Sequence, residues 1–219
     1  MEPVVVLART DTSETGRAAA DWARREAGLR GSPLRAPLRL PLRGPGDVAE
    51  GVAVTVGETR AVTLLDTVPG PVVLVPDGYV PGRRRADVVV GVDPCAPAGP
   101  ALGFAFDSAR LRGARLRAVH AWALPPEAAA LPFGVPEEDR ARWEDHEVQT
   151  LSDALRPWRA KHPEVPVLED VLLLTPAEAL LHHGARAALI VVGGPPGSVV
   201  RTLLRESGCP VAVVPADGG

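Results

Sequence analysis

Apolar residues in this chain fall either into short unbroken runs or into stretches spaced three and four apart, and the alternation of the two patterns predicts its elements. Ala86-Asp-Val-Val-Val-Gly-Val-Asp93 is a continuous β-branched run stopped by Pro94 and Pro97, as expected of a strand buried on both faces of a parallel sheet. Leu102, Phe106 and Ala109 then recur along one helical face between Gly99 and Arg112, closed by Gly113. A second strand is predicted over 115–122, where Leu116, Ala118 and His120 alternate with Arg117, Val119 and Ala121. The proline- and alanine-rich stretch 123–136 reads as a loop long enough to act as a lid. Residues 137–161 read as a helix with Trp143, Val148, Leu151 and Leu155 as its buried stripe, and Pro157 is expected to kink it or end it early. A strand at 165–174, a helix opened by Pro176, the very apolar strand 188–193, a helix from Ser198 to Glu206 and a closing strand between Pro210 and Pro215 complete the series.

The same series appears upstream in abbreviated form, with strands predicted at 3–8, 33–40, 51–56 and 71–75 and a helix at 13–27. Pro71-Val-Val-Leu-Val-Pro76 echoes Pro210-Val-Ala-Val-Val-Pro215. The starts match as well: Val4-Val5-Val6, Trp22-Ala23 and Leu29-Arg30-Gly31 recur as Val88-Val89-Val90, Phe104-Ala105 and Leu111-Arg112-Gly113. A shared start and a shared end indicate one module written twice. The stretch 40–51 is too short for the helix, strand and helix that occupy 123–187, so the expected division is a degenerate, shortened copy over 1–83 and a complete copy over 84–219. Arg83-Arg84-Arg85 at the junction reads as a solvated linker. Strands alternating with helices predict an α/β fold, a doubly wound, open, parallel five-stranded sheet of Rossmann-like type in the complete copy.

Composition narrows the function. The chain has 219 residues, 46% of them hydrophobic, and no apolar stretch near the roughly 18 residues that cross a bilayer, so a soluble protein with no membrane partner is expected. Met1-Glu2-Pro3 has no basic region before its valine run, which argues against a secretory signal and for the cytoplasm. A net charge of -3 gives no pull toward nucleic acid. Lys161 is the single lysine among 24 basic residues, and with 24 prolines and 22 glycines this reads as the codon bias of a GC-rich genome.

Catalytic and metal motifs are not found. Cys95 and Cys209 lack metal-ligand spacing, and reduced thiols are expected. His182 and His183 are adjacent and cannot share a helix face, Trp143-Glu-Asp-His-Glu147 lacks the H-E-x-x-H spacing, and G-x-S-x-G is absent. No catalytic residue and no metal ligand is assigned.

Ligands of open parallel sheets bind beyond the carboxyl ends of the strands, where the winding reverses. Here that crevice lies between the strand ending at Asp93 and the strand ending at Gly193. Asp93 is suited to accept hydrogen bonds from a ligand amino or hydroxyl group, or alternatively to cap the following helix. Gly193, Gly194, Gly197 and Ser198 form a glycine-rich turn into a helix, which either faces an anion or is a tight connection with nothing bound.

Several segments together resemble the universal stress protein family: Val88-Val-Val-Gly-Val-Asp93, Leu111-Arg-Gly-Ala-Arg-Leu116 with Val119-His-Ala-Trp122, Thr175-Pro-Ala-Glu-Ala-Leu-Leu181 leading to Leu189-Ile-Val-Val-Gly193, and Gly197-Ser198 followed by Cys209-Pro-Val-Ala-Val-Val-Pro215. The resemblance covers almost the whole second copy in order, and the chain looks like a tandem member. It implies an adenine nucleotide-binding fold in which ATP is cradled by a loop of pattern G-x2-G-x9-G-[ST]. Carried over residue by residue, it assigns Asp93 to the adenosine side and Ala121 to the adenine pocket. Gly193, Gly197 and Ser198 fall on the phosphate loop, and Val92, Val192 and Val199 on adjoining pocket positions.

The chain departs from that pattern, because only Gly194, Pro195 and Pro196 separate Gly193 from Gly197 where the family loop has about a dozen residues. Pro94-Cys95 also replaces the Gly-Ser pair common after the aspartate. The first copy offers Leu7-Ala8-Arg9 and Gly57-Glu58-Thr59 and is not expected to bind nucleotide. The implied function is a non-enzymatic stress-response or signalling module binding ATP or another adenine nucleotide in its second copy, with an unidentified protein partner. An interaction scaffold that has lost nucleotide binding, or a slow ATPase, are the alternatives. Because family subunits commonly pair through the closing strand, 71–76 is expected to meet 210–215 within the chain as a pseudo-dimer.

Overall fold

The structure is a computed structural model that describes residues 5–8, 14–35, 51–55, 58–65, 70–76, 79, 87–129 and 135–216. In chain order its strands are β1 (Val5–Ala8), β2 (Leu34–Arg35), β3 (Gly51–Thr55), β4 (Val72–Leu74), β5 (Val88–Gly91), β6 (Leu116–Ala121), β7 (Val167–Leu172), β8 (Leu189–Gly193) and β9 (Val211–Val214). Its helices are α1 (Glu14–Arg30), α2 (Glu58–Leu65), α3 (Gly99–Arg112), α4 (Pro126–Ala129), α5 (Glu137–Lys161), α6 (Pro176–Gly184) and α7 (Ser198–Glu206).

Among the described residues the strands form one nine-stranded sheet in the order β2-β1-β3-β4-β9-β8-β5-β6-β7. Every neighbouring pair is parallel except β4 and β9, which run antiparallel with Val72 opposite Val213, Val73 opposite Ala212 and Leu74 opposite Val211. The echoed segments 71–76 and 210–215 therefore meet in the middle of the sheet. Reversal of winding between β5 and β8 places a crevice at the carboxyl ends of those two strands.

Helices cover both faces, which explains the unbroken valine runs. On one face a single core runs under three helices: α1, with Trp22 and Ala23, lies over β1 and β3, α3, with Leu102 and Phe106, lies over β5 and β8, and α5, with Leu151 and Leu155, lies against α3 and β7. On the other, Ala61 of α2, Leu180 of α6 and Leu203 of α7 pack over Val89, Ile190, Val211 and Val213. With both faces of β5 and β8 buried, a polar residue at any of these positions would face a core.

Four features differ from the pattern-based expectation, the first being that the loop expected over 123–136 carries the one-turn helix α4. The helix α2 was not marked by periodicity, since eight residues give little more than two turns; burial of Ala61 and Leu64 is what holds it. The helix α5 continues through Pro157 to Lys161 rather than ending early. Its last turns are clamped by Trp158 stacked on Phe106 and on His162, and the His162 N–H returns to the Trp158 carbonyl at 2.9 Å. Finally, only Leu151 and Leu155 of the expected α5 stripe are buried, while Trp143 is half-buried and Val148 is 43% exposed, so the first half of this helix stands off the sheet. The predicted strand at 33–40 is described only at Leu34–Arg35. The rest of it, Pro3 and Val4, Arg9, Val56 and Gly57, Arg83 to Arg85 and residues 130–134 of the long loop lie outside the described residues.

Candidate functional site

The rim of the crevice is set by strand register. Gly91 pairs with Val119 and Val90 with Val191, and the Val92 N–H donates to the Val119 carbonyl at 2.9 Å, so Asp93 emerges beside Ala121 on one flank and one residue past Gly193, the end of β8, on the other. The Asp93 side chain is exposed and does not cap α3, whose N-cap is Ala98. One of its oxygens instead accepts the Cys95 N–H at 3.0 Å, closing a turn in which the Ala96 N–H reaches the Asp93 carbonyl at 3.2 Å. That turn fixes the carboxylate at the strand tip and leaves its second oxygen for a ligand N–H or O–H.

The glycine turn is built differently from a phosphate cradle. A Cβ on Gly193 would lie 2.5 Å from the Ala98 Cβ and 3.1 Å from the Ala101 Cβ, so this glycine lets the first turn of α3 press against β8. Gly194 has φ +96°, a left-handed conformation that favours glycine, and its N–H donates to the Val214 carbonyl at 3.0 Å. The Gly197 N–H donates to the Pro195 carbonyl at 2.7 Å, and Pro195 and Pro196 have no N–H at all. Every backbone donor of 194–197 is therefore absent or already used. What remains for an anion is the start of α7, where the first-turn N–H groups of Ser198, Val199 and Val200 lack intrahelical partners and no side chain caps them from Gly197. The Ser198 hydroxyl is exposed beside them, and the Arg201 guanidinium is held on the Pro196 carbonyl at 3.2 Å.

The other expected pocket residues divide. Val92 and Val192 are buried in opposite cores, so their side chains are occupied and only their backbone reaches the rim. Ala121 and Val199 are half-buried against the second of those cores. Next to Ala121, Trp122 is buried and its indole N–H has no hydrogen-bond partner among the described residues, a donor that wants an acceptor.

Apolar spacing gave no sign of the His120 contacts. This buried histidine meets the Val92 carbonyl at 3.2 Å through Nδ1 and a Glu147 carboxylate oxygen at 3.0 Å through Nε2, tying the exposed half of α5 to the strand that carries Asp93. Its only trace in the sequence is its place in Val119-His-Ala-Trp122. Away from the rim, burial pushes the Cys209 thiol up, which keeps it protonated under the closing strand.

These residues fit ATP unevenly. Asp93 and Ala121 suit an adenosine moiety, and the α7 start suits one phosphate group, whereas the sealed turn offers nothing to an extended triphosphate. The order of these segments along one chain is also what a family model recognises: the Universal stress protein family model matches residues 85–215. The chain belongs to the universal stress protein family.

Similarity to individual members agrees with this. The chain is 35% identical over 163 residues to Universal stress protein Rv1996 of Mycobacterium tuberculosis, covering 68% of this chain and 50% of that one. It is 34% identical over 146 residues to Universal stress protein Rv2005c of the same organism, covering 63% and 48%. It thus spans about half the length of the curated relatives it matches. Among solved structures, a universal stress protein from Archaeoglobus fulgidus DSM 4304 superposes with a TM-score of 0.59 at 14% identity, covering 97% of this chain and 96% of that chain, which supports the fold. No helix among the described residues is long and apolar enough to cross a membrane.

Proposed function

We propose that this universal stress protein is a non-catalytic stress-response module that binds an adenine nucleotide in its second copy, residues 84–219, with the shortened copy 1–83 as an internal partner. The observation that carries the reading is the rim itself: a fixed carboxylate at the tip of β5 faces the same crevice as the uncapped start of α7, the pairing that an adenosine joined to a single phosphate needs. AMP fits this donor set better than ATP, because the β- and γ-phosphates would meet Pro195 and Pro196. Binding would work by population shift, the nucleotide favouring one arrangement of the rim and of the surface a protein partner reads in the cytoplasm.

Isothermal titration with adenosine, AMP, ADP and ATP tests this. Saturable heat with AMP, and ATP binding no tighter than AMP, is the expected result. Absence of heat at millimolar nucleotide would overturn the nucleotide part. A second reading, a scaffold that no longer binds nucleotide, is favoured by the sealed 194–197 turn and the packing role of Gly193. It predicts that an Asp93→Ala, Ser198→Ala variant keeps full affinity for a protein partner.

A further inference from the structure

Where α1 meets α3, six residues make a reciprocal set of contacts. Trp22 and Phe104, Glu26 and Ser108, and Arg30 and Arg112 each lie 82 positions apart, so they are matching positions in the two copies. The Arg30 guanidinium stacks over the Phe104 ring, 4.8 Å from its centroid, and the Arg112 guanidinium lies 6.0 Å from the Trp22 centroid. Arg30 Nε donates to Glu26 Oε1 at 2.7 Å and its Nη2 to the Ser108 hydroxyl at 3.2 Å. Arg112 donates to the other Glu26 oxygen and, at 3.1 Å, to the Ser108 carbonyl. Each arginine thus bonds the residue one turn before it on its own helix and the matching residue of the opposite helix, and each covers the opposite aromatic ring.

The charge symmetry is broken at one pair only. Glu26, 1% exposed, is among the described residues the sole carboxylate between two guanidiniums whose side chains are 9% and 13% exposed, and its counterpart Ser108 is fully buried and neutral. If α3 faced a second α3, Arg112 would meet its own copy across two serines with no acid, leaving two desolvated cations uncompensated. We infer that the α3 face of Phe104, Ser108 and Arg112 is a docking surface that accepts a helix carrying an acid at the Glu26 position, the chain's own first copy, and rejects a second copy of itself. The open edges of β4 and β9 then find each other within one chain rather than between chains. This rests on reading 1–83 as a shortened copy; that reading also stands on the echoed strands and survives if the docking inference fails.

A charge-relocation cycle in the full chain tests it. Glu26→Ser strands both arginines and should lower the melting temperature by on the order of 10 °C. Ser108→Glu alone crowds a buried site and should also lower it. Combined, the two substitutions move the carboxylate to the matching position on the opposite helix, into the space Glu26 vacates, and the double variant should melt above both singles and remain monomeric by light scattering. A double variant that melts no higher than the worse single, or a Glu26→Ser chain as stable as the parent, would overturn the inference. Should Glu26→Ser not fold, recovery of a folded monomer in the double variant supports the inference and continued failure to fold counts against it.

Discussion

Adding one methyl group at Gly193 separates two reasons for a glycine at the end of β8. The new Cβ would sit 2.5 Å from the Ala98 Cβ and 3.1 Å from the Ala101 Cβ, against an ordinary carbon–carbon contact of about 3.5–4.0 Å. A methyl group cannot rotate out of the way, and neither can the two alanines it meets. Nor can β8 retreat, because it is held between β5 and β9 in the middle of the sheet. The start of α3 must therefore lift by about 1 Å, loosening Leu102 and Ala105 from the core beneath. Overpacking of this kind costs about 1–3 kcal/mol. In urea, with a slope of about 2–3 kcal/mol per M for a chain this long, Gly193→Ala should bring the unfolding midpoint down by about 0.3–1.5 M with the slope unchanged. Tryptophan fluorescence reports the transition. A midpoint equal to that of the parent would refute the packing argument and leave close approach of a ligand as the reason for the glycine.

Further outcomes follow from the same geometry. Replacing Pro195 and Pro196 by glycine returns two N–H donors to the turn and should raise affinity for ATP several-fold relative to AMP, read by titration; an unchanged ratio would show that the prolines are not what limits phosphate binding. Cys95 is exposed while burial pushes the Cys209 thiol up, so a thiol reagent should modify one cysteine rapidly in the folded protein and the second only on unfolding. Burial also holds the His183 imidazole below its ordinary value, with the Asp170 and Asp87 carboxylates pulling it up and Arg117 and His182 pushing it down. The unfolded chain therefore takes the proton first as pH falls below about 6.5, and stability drops from there through the folded value. His183→Gln should flatten that acid limb in pH-dependent melting, and an identical slope would refute the assignment.

The fold was largely legible because the β-branched runs of β5, β8 and β9 carry an unambiguous signal: both of their faces are buried, so no polar residue interrupts them. The helix α2 was not legible, since its stability comes from burying Ala61 and Leu64 rather than from its own spacing. The apolar spacing of α5 also overstated its burial, because Val148 lies on the right face of a helix that has not yet reached the core, where Leu151 and Leu155 are buried. At the rim, Asp93 and the Gly197-Ser198 pair could be placed from strand ends alone. The fate of their hydrogen bonds could not: the Gly194 N–H is taken by a carbonyl 20 positions away, on Val214, and His120 reaches Glu147 across a loop. Contacts of that kind depend on three-dimensional closure and leave no local pattern. The Glu26 cluster is intermediate, the equal spacing of its three residue pairs being visible in the sequence while the convergence of both arginines on one carboxylate is visible only in the folded chain.

The most direct test of the nucleotide site is an amide NMR titration of the full chain with AMP. Saturable shifts centred on Asp93, Ala121 and Ser198 to Val200 are expected, with the amides of Gly194 and Gly197, already bonded within the turn, little affected. Spectra unchanged at millimolar AMP, or shifts confined to α1 and α2, would contradict it.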